Sequence, residues 1–258
     1  MSEAALWFTR VTLRRDAPDI APLIGRLFPD DESELLNATH QLLWTLMPES
    51  MQKEGKPERP DKAEKDKAAF LWRKADRDNS WYMLGPGPRE DSSFLSVETK
   101  PYELSPEVGD MLAFDLTVNA TVNRMVDPSK GRNGRQRCDV VMDALKAHER
   151  VVGHTRDRAE QRMLVAKPAL SGWLKAQGER NGFSPIATDV VSYRTVALER
   201  QGAGRGRKGH AGVSTFGISH LRGLLTVTDP AAFVAGVERG FGRAKAFGCG
   251  LMLLRRVE

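Results

Sequence analysis

The order of apolar patterns constrains this chain more than any single motif. Residues 5–14, LWFTRVTLRR, interleave β-branched and aromatic residues with polar ones, as a strand with one buried face does. Residues 33–47, SELLNATHQLLWTLM, change period. Leu35, Leu36, Leu42, Leu43, Leu46 and Met47 share a helical face, Ser33 stands where an N-cap belongs, and Pro48 ends the run. Strand signals return at 69–75, 80–84 and 94–100, with Gly85-Pro86-Gly87-Pro88 as a turn between the last two. Residues 110–125, DMLAFDLTVNATVNRM, alternate along one long strand. The rest of the chain gives a similar order. Val140 to Asn181 reads as helix with breaks near Gly153 and Pro168. Strands follow at Val190–Leu198 and within Ser214–Thr228, then a helix opened by Asp229 or Pro230, then a closing strand, LMLLRRV. The expected class is therefore α+β, with tandem ferredoxin-like (RRM-like) βαββαβ domains. The expected boundaries are an N-terminal domain over 1–126, a basic linker over 127–139 and a C-terminal domain over 140–258. Element order carries this division, since no sequence repeat joins the halves.

Composition narrows the function classes. A chain of 258 residues buries a full core without disulfide or metal staples. Cys138 and Cys249 match no CxxC spacing. No run approaches about 20 apolar residues, so no membrane helix is expected. The opening MSEAALWFTRVTLRR lacks the apolar core of a signal peptide, which makes a reducing cytoplasm the expected setting. The net charge of +5 tilts only weakly toward an anionic partner, and its distribution says more. Residues 49–67 carry six acidic and six basic residues with two prolines, a charge-balanced, solvated insertion. Two other segments are one-sided. Residues 127–137 set Lys130, Arg132, Arg135 and Arg137 against Asp127, and QGAGRGRKGHAG (201–212) holds Arg205, Arg207, Lys208 and His210 between two strands.

Three features could carry chemistry. Gly240, Gly242, Gly248 and Gly250 flank Arg243 and Lys245. The third glycine of a dinucleotide fingerprint is missing, and no Gly-Lys-Ser/Thr of a Walker loop occurs. Two readings stand: a helix-to-strand turn, or backbone that approaches a phosphate with two cations beside it. The basic 201–212 segment is either a polar loop tip or a hairpin that tracks nucleic-acid phosphates. His40 shares a stripe with Leu36, Leu43 and Met47, where a histidine is most simply a half-buried helix residue. No HExxH, paired Cys/His or GxSxG spacing occurs, so neither a metal site nor a cofactor is expected.

The same segments, taken together, carry a resemblance. LRGLLTVTDPAAFVAGVERGFGRAKAFGCGLMLL (221–254) resembles the end of the CasE family, the CRISPR precursor-RNA endoribonucleases of the RAMP superfamily. The family pattern there is a strand, an Asp, a helix and then G-x-G-x-x-K-x-x-G-x-G-L. Gly240, Gly242, Lys245, Gly248, Gly250 and Leu251 stand in register with it. THQLLWTLMP (39–48) is similar to the family's H-x-x-L-W-x-L-x-P helix through His40, Leu43, Trp44, Leu46 and Pro48. RCDVVMDAL (137–145) is similar to its counterpart, and the insertion 49–67 departs from the pattern.

The resemblance implies tandem ferredoxin-like domains and metal-independent cleavage of a CRISPR repeat RNA at the 3′ base of its stem-loop. It implies attack by the substrate's own 2′-hydroxyl, leaving a 2′,3′-cyclic phosphate and a 5′-hydroxyl. It places His40 on the catalytic histidine. Some members have a tyrosine three residues earlier; here that residue is Asn37, which cannot titrate but can orient an oxygen. Lys208 or Arg207 is the expected charge stabiliser. Arg205, Arg207, Lys208, His210, Arg243, Lys245, Arg132, Arg135 and Arg137 are the expected RNA contacts. The implied partners are the repeat stem-loop, the mature guide RNA and other subunits of the Cascade complex. The competing reading is a non-catalytic RAMP subunit that caps or carries the guide RNA.

Overall fold

A computed structural model describes residues 5–14, 29–49, 51, 68–76, 79–89, 92, 94–129, 134–153, 158–198 and 214–257. The first half contains β1 (Trp7–Leu13), α1 (Glu32–Trp44), β2 (Leu71–Lys74), β3 (Ser80–Gly85) and β4 (Leu95–Pro101). The second contains β5 (Met111–Val118), a ribbon of β6 (Thr121–Met125) and β7 (Arg135–Asp139), α2 (Val140–Val152) and α3 (Arg158–Arg180). It continues with β8 (Phe183–Leu198), β9 (Ser214–Val227), α4 (Pro230–Arg239), a 3-10 turn (Lys245–Phe247) and β10 (Met252–Arg256).

The two antiparallel sheets have the same ferredoxin-like order. In the first, β1 lies between β3 and β4, with β2 on the edge beside β3. In the second, β5 lies between β9 and β10, with β8 on the edge beside β9. The strand Met111–Val118, which the sequence reading set in the first domain, therefore pairs wholly within the second sheet. Its ladder stops at Asn119, whose side-chain amide donates to the Gly217 carbonyl at 2.7 Å, and β6 departs to pair with β7. Residues 135–139, expected within a linker loop, form the return strand of that ribbon.

The second half is a full βαββαβ unit. The first half departs from that pattern, because no described residue between β3 and β4 is helical. Two prolines and a glycine at 86–88 keep the start of that connection from being helical. Each sheet packs its helices on one face, and part of its other face is buried at the junction between the halves. Val11, Leu13, Trp72, Trp81, Met83 and Leu95 pack under Leu42 and Leu43 of α1 and under Leu46 and Met47 in the turn after it. In the second sheet Leu112, Phe114, Leu116 and Val118 alternate into a core with α2, α3 and α4.

The helix ends follow capping chemistry. Asp31, rather than Ser33, caps α1, its carboxylate accepting from the amides of Ser33 and Glu34 at 2.9 and 3.0 Å. Gly153 ends α2 at φ 82°, as expected. Pro168 does not break the next helix: α3 runs through it, carried by the buried Ala166, Leu170, Trp173 and Leu174. Pro230 opens α4 behind its cap, Asp229. Among the described residues no helix is long and apolar enough to cross a membrane.

Candidate functional site

His40 lies on α1, half-buried, and its ring is held by two aromatic neighbours. It stacks on Phe70 with ring centroids 5.4 Å apart at 24°, and meets Trp44 at 6.0 Å. Burial alone pushes its pKa below the ordinary 6.5, favouring the neutral imidazole. A neutral ring with one free lone pair can take a proton, and its protonated form can give one. Asn37, one turn before His40 on α1, is exposed.

The glycine segment packs beside α1 as part of the junction between the two sheets. Gly240, Gly242, Gly248 and Gly250 all hold positive φ. At two of them the reason is specific. A Cβ on Gly240 would meet the Leu71 methyls at 2.7 Å, and one on Gly248 would meet the Trp72 ring at 3.1 Å. Both neighbours belong to β2 of the other sheet, and Trp72 Nε1 also donates to the Ala246 carbonyl at 3.3 Å. The glycines thus let the segment lie flat against β2. The turn reading is sound for the glycines, while Arg243 stands exposed and Lys245 half-buried on the same segment. Ala244, between these two cations, is the one non-glycine residue at positive φ among the described residues, at 55°. Such strain persists only where surroundings impose it.

Several basic elements leave the same end of the second sheet. Arg243 pairs across from Asn119, and the Gly250 amide donates to Thr117, so the glycine segment closes the end of β5. The β6–β7 ribbon starts there, anchored by Asp139, which caps α2 and accepts from Tyr193 of β8 at 3.1 Å. Burial pushes the Asp139 carboxyl up despite those hydrogen bonds. Arg135 and Arg137 are exposed on one face of the ribbon with Asn123 and Met125. The β8–β9 ladder reaches Leu198 opposite Ser214 at this same end. Its tip, with Arg205, Arg207, Lys208 and His210, lies outside the described residues, as do Arg132 and the bulk of the 49–67 insertion.

The hairpin stem is fastened to the His40 helix. Arg194 of β8 pairs with Glu32 of α1 at 2.6 Å. Leu36, one turn before His40, packs on Val196, Ile218 and Cys249 together with Phe216 and Ala244. Phe216 in turn touches Phe247 of the 3-10 turn at 5.3 Å. The tertiary structure therefore brings His40, Asn37, Arg243, Lys245 and the root of the basic hairpin to one junction. Phe70, Trp72, Arg194 and Glu32 escaped the sequence reading. No motif marks them, since their partners lie far away in the chain.

The CRISPR-associated protein family model matches residues 6–256. This chain belongs to that family. No curated protein matches it. Among solved structures, it is similar to CRISPR endoribonuclease Cse3 bound to a 19-nucleotide RNA, at 17% identity and TM-score 0.59, over 97% of this chain and 100% of that one. It is similar to the CRISPR-associated protein Cas6e of Escherichia coli K-12, at 20% identity and TM-score 0.53, over 97% and 100%. It is also similar to a chain of a CRISPR RNA-guided surveillance complex in a pre-nicking state, at 15% identity and TM-score 0.53, over 97% and 100%. At these identities the likeness is one of fold, and it spans both sheets.

Proposed function

We propose that this CRISPR-associated protein is a metal-independent endoribonuclease that cuts CRISPR repeat RNA at the 3′ base of its stem-loop. The observation that carries the reading is the His40 ring, fixed on Phe70 and Trp44, on a helix packed against the glycine turn. In the reaction the 2′-oxygen beside the scissile phosphate attacks phosphorus. The P–O2′ bond forms, the P–O5′ bond breaks, the 2′-proton leaves to a base, and the departing 5′-oxygen gains a proton. The nucleophile is tethered to its target, so the protein has only to align it, move protons and stabilise charge. No metal-activated water is required.

His40 performs one of the two proton transfers. Asn37, exposed one turn away on α1, orients the 2′-hydroxyl or the phosphate. Lys208 of the basic hairpin stabilises the extra negative charge, and Lys245 with its flanking backbone holds a phosphate. A-form RNA hides its base edges in a deep groove, so the stem is held through phosphates by Arg205, Arg207, His210, Arg243, Arg132, Arg135 and Arg137. The RNA-bound and surveillance-complex relatives support a role in which the mature guide RNA stays with this chain and other Cascade subunits, for which the cytoplasm is the expected setting.

The deciding experiment incubates the protein with its repeat stem-loop RNA in EDTA and analyses the ends. The expected products are a 2′,3′-cyclic phosphate, or its hydrolysed form, and a 5′-hydroxyl. A 5′-phosphate on the downstream fragment would contradict the mechanism, and tight binding without cleavage would favour a guide-carrying subunit.

A further inference from the structure

Arg73 lies behind this junction, 4% exposed, and it crosses from one sheet to the other. Its Nη1 donates to the Asp115 carboxylate on β5 and to the Asp115 carbonyl at 3.1 Å. The second sheet completes the cluster: Arg222 Nε donates to Asp115 Oδ2 at 2.6 Å, and His220 Nε2 lies 2.9 Å from Oδ1. Arg222 also reaches back to Asp76 of the first half at 2.7 Å. Burial opposes ionisation of Asp115. The hydrogen bond to His220, the charge and hydrogen bond of Arg73 and the hydrogen bond from Arg222 outweigh it and hold the carboxyl well below the usual range.

Four consecutive residues on and before β2 connect this cluster to the site. Phe70 carries the His40 ring, Leu71 fits against Gly240, Trp72 lies on Gly248 and bonds Ala246, and Arg73 holds Asp115. The Leu71 and Trp72 contacts are largely apolar, and apolar contact is non-directional, so by itself it tolerates sliding. The Arg73 Nη1 group places two hydrogen bonds on one residue, one on the Asp115 carboxylate and one on its carbonyl, and hydrogen bonds are directional. Arg73 Nε is buried with no acceptor, a cost that a purely packed junction does not impose.

We propose that Arg73 and Asp115 are positioning residues: their pairing fixes the lengthwise placement of β2 on the second sheet, and through Phe70 and Trp72 the placement of His40 against the glycine turn. Its effect on cleavage rests on the RNA-cleaving reading above.

The test compares the full-length protein with Asp115→Asn, and with Arg73→Lys, which keeps the buried cation but loses the planar guanidinium that aims both hydrogen bonds at Asp115. Without RNA, the Trp72 indole N–H and the Gly248 and Gly250 amides are followed by nitrogen-15 NMR. With RNA, single-turnover cleavage and stem-loop affinity are measured separately. Each folded variant is expected to shift the Trp72, Gly248 and Gly250 signals. It is expected to slow the chemical step about 10- to 100-fold, the cost of an ångström-scale misplacement, with affinity changed less than about twofold. Should Asp115→Asn fail to fold, Arg73→Lys decides by the same readouts. Unmoved Trp72 and glycine signals overturn the proposal, as does a rate loss matched by weakened binding. If the wild-type protein cleaves no stem-loop RNA, the functional reading fails, while the NMR signals still decide whether the pair places β2.

Discussion

The His40 ring stacks on Phe70, centroids 5.4 Å apart, and Phe70 leads directly into the strand that bonds the glycine turn. One short stretch of backbone thus sets both the environment of the imidazole and its place beside the cationic segment. Removing the ring should expose that dependence. His40→Ala is expected to slow single-turnover cleavage about 100-fold or more, the scale of general acid–base catalysis. Stem-loop affinity should change little, because the imidazole adds little to ground-state binding. Near-wild-type cleavage by the folded variant would exclude His40 from the reaction.

Burial of His40 also has a stability consequence with a definite sign. Its folded pKa lies below the ordinary 6.5, so the unfolded chain takes up the proton first as pH falls. This contribution is fully present above about pH 6.5 and is lost as pH drops from there toward the lower folded value. Urea melts at pH 7.5 and 5.5 should show a smaller acid loss for His40→Gln than for wild type. An equal loss in both proteins would mean that the ring is not desolvated.

Gly248 offers a test of the junction itself. It holds φ at 74°, and a Cβ there would stand 3.1 Å from the Trp72 ring. Gly248→Ala should cost about 1–3 kcal/mol for the left-handed conformation alone, with crowding against Trp72 added. Thermal or urea unfolding measures it. A neutral substitution would show that the turn can move off β2.

Salt dependence should separate the basic segments. Arg135→Ala/Arg137→Ala should lower the slope of log affinity against log salt by about one unit or less for each phosphate deprived of its cation. Replacing Arg205, Arg207 and Lys208 together should lower it further, and Lys245→Ala should act as the removal of a single cation. Lys53, Lys56 and Lys62 serve as the control, each having acidic neighbours in the insertion. Stem-loop titrations over a salt series measure all four. Loss of affinity in the insertion variant alone would mean that the RNA lies elsewhere.

The sequence by itself determined most of the elements and offered the candidate residues for the chemistry. Period two at 111–118, period 3.6 at 33–44 and Pro230 after Asp229 are local signals, because a strand or helix is recognised by how its own side chains alternate. His40, Lys245 and the four glycines stood out as candidates through their register with the CasE pattern, since spacing alone left His40 an ordinary helix residue. Tertiary structure decided the rest. Met111–Val118 reads alike in either half, and only its hydrogen bonds to β9 and β10 assign it to the second sheet. Pro168 reads as a break, yet buried Leu170, Trp173 and Leu174 hold the helix through it. Phe70 beneath His40, Trp72 on Gly248 and Arg73 on Asp115 have no signature at all. Each is an ordinary strand residue until folding brings up a partner from another part of the chain, and a pairing of distant residues leaves no period in the sequence to read.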